Sequence, residues 1–137
     1  MAAAMAVLDV LETTDALARM DANGRVLQEG LNALAKEAGL EDRIKCIGYP
    51  FWSLIRFLDE AGKDSLLVRS LFTQECVKRG VLLLATHNMT AAHDPLAVEQ
   101  TLKIYAEVCK TLAVWLSDTR PEQFLEGDMI QAVFKVR

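Results

Sequence analysis

The chain has 137 residues, of which 52% are hydrophobic, and its formal net charge is -4. This length suits one domain with a single core, and the composition argues against a disordered polyelectrolyte. Lys and Arg are scattered, so no nucleic-acid surface is indicated, and no apolar run approaches the roughly 20 residues of a membrane helix. The three cysteines are Cys46, Cys76 and Cys109. Their odd number and wide spacing favour a reduced, cytoplasmic protein without a disulfide framework or a zinc site.

Two helices are predicted at the start of the chain. Residues 2–11 are apolar almost all round, so this helix should be buried. It either packs on the chain's own core or is the end of a helix from a larger protein. The second helix, residues 15–38, has an apolar stripe at intervals of three and four: Leu17, Met20, Gly24, Leu27, Leu31, Leu34 and Ala38. Gly24 on this stripe predicts a closely approaching backbone or a slight break in the helix.

Short segments rich in aromatic and β-branched residues follow, at residues 44–47 and 52–58. Separated by Gly48-Tyr49-Pro50, they predict an antiparallel pair of strands. Arg56 in the second strand is a candidate contact for an anion. The alternative is an arginine at the sheet edge, with its stem packed and its charged head solvated.

The second half of the chain predicts two helices around one short strand. A helix over residues 65–79 ends at Gly80, and the apolar run at residues 81–84 predicts a strand buried on both faces. Asp94-Pro95 begins the last long helix, because Asp accepts hydrogen bonds from the first turn and Pro lacks an N–H that would have no partner. That helix ends near residue 117. Residues 130–136 then alternate as in an edge strand or an extended strap.

This order of elements predicts an α+β fold, in which a small, mainly antiparallel sheet has three amphipathic helices packed on one face. The densest polar chemistry lies in the loop before the last helix. His87 and His93 are six residues apart, and only Asp94 is spaced to assist them, so no metal site is predicted. We expect a structural role for His93, with its ring hydrogen-bonded to the backbone. His87 and Asn88 are better functional candidates.

The loop from His87 to His93 reads H-N-x-T-x-A-H. It resembles the C-terminal small domain of class III pyridoxal-phosphate-dependent aminotransferases, nearest to the glutamate-1-semialdehyde 2,1-aminomutase family. The resemblance covers nearly the whole chain and includes the segments at residues 31–39, 74–81, 125–127 and 131–135. It implies that residues 1–12 are the end of a helix connecting to a large domain. Residues 13–118 would be the small domain and residues 119–137 its C-terminal tail.

The resemblance also implies a role in a substrate cleft. In that family the loop faces the cleft beside pyridoxal phosphate, which implies that Thr86, His87, Asn88 and Thr90 help to shape the substrate pocket. The Schiff-base lysine and the other cofactor-binding groups belong to the family's large domain. No lysine of this chain matches a catalytic position, so the resemblance assigns no catalytic or cofactor-binding residue, and the chain alone is expected to be inactive.

Two departures leave the substrate of the parent enzyme open. Many members carry an arginine after the inner strand that grips a carboxylate, whereas this chain has Leu84-Ala85-Thr86. The acidic loop residue of the aminomutase has no counterpart either. The parent reaction is therefore expected to be that of a transferase or an isomerase, on a substrate that the sequence does not define.

The resulting hypothesis is the C-terminal domain of a cytoplasmic aminotransferase or aminomutase, partnered by a large catalytic domain, with a homodimer left open. Neither nucleic acid nor a membrane is expected as a partner. Two other classes stay open. One is a stand-alone interaction or dimerisation domain of the same fold. The other is a small enzyme built on His87, Asn88 and Arg56, which requires these three residues to converge.

Overall fold

The computed structural model describes residues 2–131. Their elements, in chain order, are α1 (Ala2–Thr13), α2 (Ala16–Glu37), β1 (Ile44–Tyr49), β2 (Trp52–Phe57), α3 (Leu66–Lys78), β3 (Thr86–Asn88), α4 (Pro95–Leu116) and a 3-10 turn (Pro121–Phe124). The predicted start of α4 is confirmed, since the Asp94 carboxylate accepts a hydrogen bond from Ala97 N at 2.8 Å. Gly80, at φ +90°, ends α3 in the left-handed conformation that glycine adopts most easily.

The three strands form one antiparallel sheet in the order β1-β2-β3. β1 pairs with the whole of β2, whereas β3 pairs only with the first half of β2. Side chains on alternate positions of β1 and β2 are buried on the helix side of the sheet: Ile44, Cys46, Ser53, Ile55 and Phe57. The predicted α+β fold, with a small antiparallel sheet and helices on one face, is therefore confirmed.

Phe72 of α3 lies at the centre of the core and has no exposed surface. Its ring centroid is 5.1 Å from that of Phe57 in β2 and 5.4 Å from that of Tyr105 in α4. Tilted aromatic contacts at these distances add to the stabilisation from burial. One side chain thus joins the sheet to both C-terminal helices.

Gly24 brings α2 close to the turn between β1 and β2. A methyl group placed on its Cα would lie 2.0 Å from the carbonyl oxygen of Pro50, and α2 runs through this position without a break. The predicted close backbone approach is confirmed. The predicted apolar stripe of α2 is wrong at its first residue, because Leu17 is 56% exposed and Ala16 is buried instead.

The strand predicted at residues 81–84 is wrong, because pairing begins only at Thr86. Leu82 and Leu84 are 86% and 77% exposed, and only Leu83 of the three leucines is buried. Ala85, at φ +64°, interrupts the extended chain between this run and β3. The paired segment is therefore the polar one that follows the turn at Ala85.

α1 has no buried residue, and its apolar side chains Met5, Val7, Leu8 and Val10 are about half exposed. The interpretation that this helix packs on the chain's own core is therefore wrong. Within residues 2–131, no helix combines the length and apolar character needed to cross a bilayer.

The described part of the tail runs along α3. Gln74 donates a hydrogen bond to Phe124 O and accepts one from Glu126 N, and Ile130 N donates to Ser70 Oγ. The Phe124 ring stacks on Trp115 at 4.9 Å. Most of the edge strand or strap predicted for residues 130–136 lies outside the described residues.

Candidate functional site

β3 contributes a histidine to the core. His87 is 7% exposed, with its Nδ1 2.9 Å from Ser53 Oγ in β2 and its Nε2 2.9 Å from Tyr105 Oη in α4. Burial lowers the pKa of His87 to about 4, so the ring is neutral at pH 7. A neutral imidazole has one donor and one acceptor nitrogen, and the two hydroxyl groups satisfy both. Burial also raises the pKa of Tyr105 above its usual value, so its hydroxyl stays protonated.

The neighbours of His87 in β3 point the other way. Strand alternation sends the side chains of Thr86 and Asn88 to the opposite face of the sheet, where Thr86 is half-buried and Asn88 is exposed. Thr90 lies in the turn that follows and is also exposed. Of the four residues expected to line a substrate pocket, His87 alone faces the helices.

His93 shapes the turn between β3 and α4. Its Nδ1 accepts a hydrogen bond from Thr90 N at 2.9 Å, and its carbonyl oxygen accepts one from Asn23 Nδ2 in α2 at 2.7 Å. These two contacts fix the turn and tie it to α2.

A cavity of about 340 Å³ lies between residues 81–84, β3 and the first half of α4. Although only His87 faces the helices, Thr86 and Asn88 also line this cavity, whereas Thr90 does not. The other polar residues of its lining are His93, Thr101 and Tyr105. This volume is in the range of small-molecule sites.

Arg56 lies elsewhere. Its guanidinium pairs with the Asp64 carboxylate at 2.7 Å, and it lines a different cavity from His87 and Asn88. Among residues 2–131, no hydrogen bond joins Arg56 to either of them. The convergence required by a small enzyme built on these three residues is therefore not found.

The outer face of the sheet carries exposed apolar side chains, which were not among the candidates predicted from the sequence. Tyr49 and Trp52 are cross-strand partners and are 67% and 63% exposed, and the partners Ile47 and Leu54 are each 45% exposed. Phe51 extends the patch, since its ring stacks on Tyr49 at 5.6 Å. Contiguous apolar patches of this kind mark protein interaction sites. The available signal was that Trp52 and Leu54 are apolar although they alternate with the buried positions of β2, which is typical of a strand covered on both faces.

The described residues do not fit a pyridoxal-phosphate site. The lysines among residues 2–131 are all exposed, and none of them lines the three best-formed cavities described for this part of the chain. Nor does any group of three His, Cys, Asp or Glu side chains in that range cluster to hold a metal ion. The site therefore combines the polar side chains around β3 with the exposed apolar outer face of the sheet.

No protein-family model matches the chain, and no curated protein matches it significantly. A solved structure does resemble it. The chain is similar to the FumI protein of Sphingopyxis sp. MTA144 in its pyridoxal-phosphate internal aldimine form, with a TM-score of 0.74 and 27% sequence identity. The match covers 89% of this chain and 29% of that chain. The fold described here is thus also that of one part of a longer, pyridoxal-phosphate-bound protein.

Proposed function

We propose that this chain is the C-terminal small domain of a class III pyridoxal-phosphate-dependent aminotransferase or aminomutase, resembling glutamate-1-semialdehyde 2,1-aminomutase. The observation that carries the proposal is the match of 89% of the chain to 29% of a pyridoxal-phosphate-bound protein. The segment from His87 to His93, which resembles that family, supports the same assignment. In this proposal, residues 1–12 are the end of a helix that connects to a large catalytic domain of a cytoplasmic enzyme.

The domain covers one side of the active-site cleft in the intact enzyme. The apolar outer face of the sheet supports this role, since Trp52 and Tyr49 provide large surfaces to bury against a second domain. Interfaces between the domains of one chain bury apolar surface in the same way as interfaces between proteins.

Thr86, Asn88 and Thr90 take part in substrate fit. Thr86 and Asn88 lie on the same face of the sheet as the apolar patch, so they reach the surface that meets the large domain. His87 acts as a positioning residue, because its bonds to Ser53 and Tyr105 fix β3 from the opposite side.

The large domain supplies the cofactor in this proposal. Pyridoxal phosphate provides an electron sink for reactions at the substrate amino group, and it needs a lysine to attach it. Since the lysines at residues 36, 45, 63, 78, 103 and 110 are all exposed, the chain alone is not expected to catalyse the reaction.

Reductive labelling tests where the cofactor attaches. The purified chain is incubated with pyridoxal phosphate, reduced with borohydride and digested for peptide mass spectrometry. Weak labelling spread over several exposed lysines is the expected result. Stoichiometric labelling of one lysine, protected by a competitor, would show that the chain holds the cofactor itself and would overturn the proposal.

A second candidate is a stand-alone dimerisation domain, which the exposed sheet face favours. Sedimentation velocity on the chain and on Trp52→Glu separates the two. A stable dimer that Trp52→Glu dissociates would favour this alternative.

A further inference from the structure

A second cavity, of about 330 Å³, lies between the second half of β2, the start of α3 and the chain at Leu84 and Ala85 that leads into β3. Its polar side chains are Arg56, Asp64, Ser65 and Arg69. One wall is the chain at Ala85, whose φ of +64° is uncommon outside glycine. Strained backbone of this kind clusters at ligand-binding sites.

Arg69 is the unusual group in this cavity. Its Nε is buried and has no hydrogen-bond partner among residues 2–131. In that same range its side chain makes one long hydrogen bond, from Nη2 to Leu84 O at 3.4 Å, and no ion pair. A buried donor without a partner is costly, and a guanidinium presents five N–H groups arranged to grip an oxyanion.

The charge of the cavity favours an anion. The Asp64 carboxylate is paired with Arg56 at 2.7 Å, so it offsets the charge of that guanidinium. The charge of Arg69 is left uncompensated by any residue that lines the cavity. An oxyanion bound there would pair with Arg69 and could also accept a hydrogen bond from Arg56.

The apolar part of the lining narrows the class of ligand. Leu54, Leu66 and Leu84 lie beside the two arginines, so a bound molecule would contact both charge and hydrocarbon. We propose that this cavity binds a small aliphatic carboxylic acid, with its carboxylate on Arg69 and its hydrocarbon chain against these leucines. The inference does not need the proposed function, and its failure would leave that proposal unchanged.

A nuclear magnetic resonance titration of the whole chain tests this inference. Butyrate, acetate and inorganic phosphate are added separately while the Arg69 Nε–H and Ala85 N–H signals are followed. Butyrate should give saturable shifts of both signals at a lower concentration than acetate or phosphate, because it alone adds apolar contact.

Variants locate the carboxylate. Arg69→Gln should weaken butyrate binding by about tenfold or more, as expected for losing a charge-assisted hydrogen bond. Arg56→Gln removes a more exposed group and should weaken binding by about two- to fivefold. The matched control is Arg25→Gln, whose arginine also pairs with an aspartate but lies on α2 away from the cavity. Its affinity should equal that of the wild type.

Several results would overturn all or part of this inference. Absence of saturable shifts with all three anions, or equal affinity in wild type and folded Arg69→Gln, would overturn the inference. If Arg69→Gln does not fold, equal affinity in wild type and Arg56→Gln, with no shift of the wild-type Arg69 Nε–H signal, would do the same. Phosphate binding as tightly as butyrate would overturn the assignment to an aliphatic acid.

Discussion

At the scale of single residues, the central feature is a neutral histidine held by two hydroxyl groups in the core. The resemblance predicted that His87 helps to shape a substrate pocket. The pairing of β3 with β2 directs its side chain towards Ser53 and Tyr105. These partners are 34 and 18 residues away in sequence. Local patterns do not report contacts between residues so far apart.

The buried histidine predicts a pH-dependent stability. Its pKa is about 4 in the folded chain and about 6.5 when unfolded, so the unfolded state binds more protons between these values. The stability that depends on a neutral His87 is fully present above the unfolded pKa and is lost as the pH falls towards 4. Urea unfolding should show a loss of about 2 kcal/mol between about pH 7.5 and about pH 5 from this residue.

Substitution of the histidine isolates this effect. His87→Gln should show a smaller loss of stability than the wild type over the same pH range. If His87→Gln kept the full wild-type pH dependence, the neutral, desolvated state of His87 would be contradicted.

A second residue-scale prediction concerns Tyr105. Tyr105→Phe removes the hydroxyl partner of His87 Nε2 and leaves a buried nitrogen unpaired. The free energy of unfolding should fall by about 1 to 3 kcal/mol. Denaturant unfolding at neutral pH measures the change, and a loss below the experimental error would argue against this hydrogen bond.

At the scale of elements, Gly24 sets the distance between α2 and the β1–β2 turn. Alanine normally stabilises a helix interior by about 1 kcal/mol relative to glycine. Here its methyl group would lie 2.0 Å from Pro50 O, so Gly24→Ala should instead destabilise the chain by about 2 kcal/mol or more.

Gly30→Ala is the matched control in the same helix. Its new methyl group would meet the end of the Leu102 side chain, which can rotate, rather than backbone. Its effect on the free energy of unfolding should stay within about 1 kcal/mol. Equal effects of the two substitutions would contradict the backbone contact at Gly24.

A buried carboxylate is paired at the C-terminal end of α3, and its arginine partner also reaches α4. Glu75 is 3% exposed and pairs with Arg79, which also reaches Glu107 in α4. Burial would raise the pKa of Glu75, but hydrogen bonds from Arg79, Gln74 and Lys78 outweigh it and lower the pKa. The carboxylate therefore stays charged and depends on these partners.

Removal of the Arg79 guanidinium should be costly. Arg79→Gln leaves the Glu75 charge with weaker compensation, so the free energy of unfolding should fall by about 2 kcal/mol or more. Lys103→Gln is the control, because its pair with Glu99 is exposed and should contribute little to the free energy of unfolding. Equal losses in denaturant unfolding would argue against the buried pair.

Prediction of the elements from sequence succeeded where local signals are strong. The cap at Asp94, the helix end at Gly80 and the antiparallel pair of β1 and β2 each depend on residues that are near in sequence. The strand predicted at residues 81–84 is wrong because its consecutive leucines are typical of a buried strand. The left-handed conformation of Ala85 that follows has no local sequence signal. The buried Glu75 was missed for a similar reason, since a helix pattern does not show where the tail packs on α3.

At the scale of the whole molecule, two apolar surfaces are left uncovered by the residues from 2 to 131. One is α1 and the other is the outer face of the sheet around Tyr49 and Trp52. Both surfaces follow from the proposed function, in which a large domain precedes α1 and packs on the sheet. The sequence indicated the first surface through the apolar run at residues 2–11, but the second required the strand register.

A domain exchange tests most directly whether the outer face of the sheet packs on a cofactor-binding domain. The part of the Sphingopyxis FumI protein that matches this chain is replaced by the chain itself, and bound pyridoxal phosphate is measured by absorbance after purification. The control carries Tyr49→Lys and Trp52→Glu, which place opposite charges on cross-strand partners and so keep the isolated sheet stable. The exchanged protein should retain the cofactor, and the control should retain much less. Equal cofactor retention by the two proteins, with both inserted domains folded, would contradict docking of this face on a cofactor-binding domain.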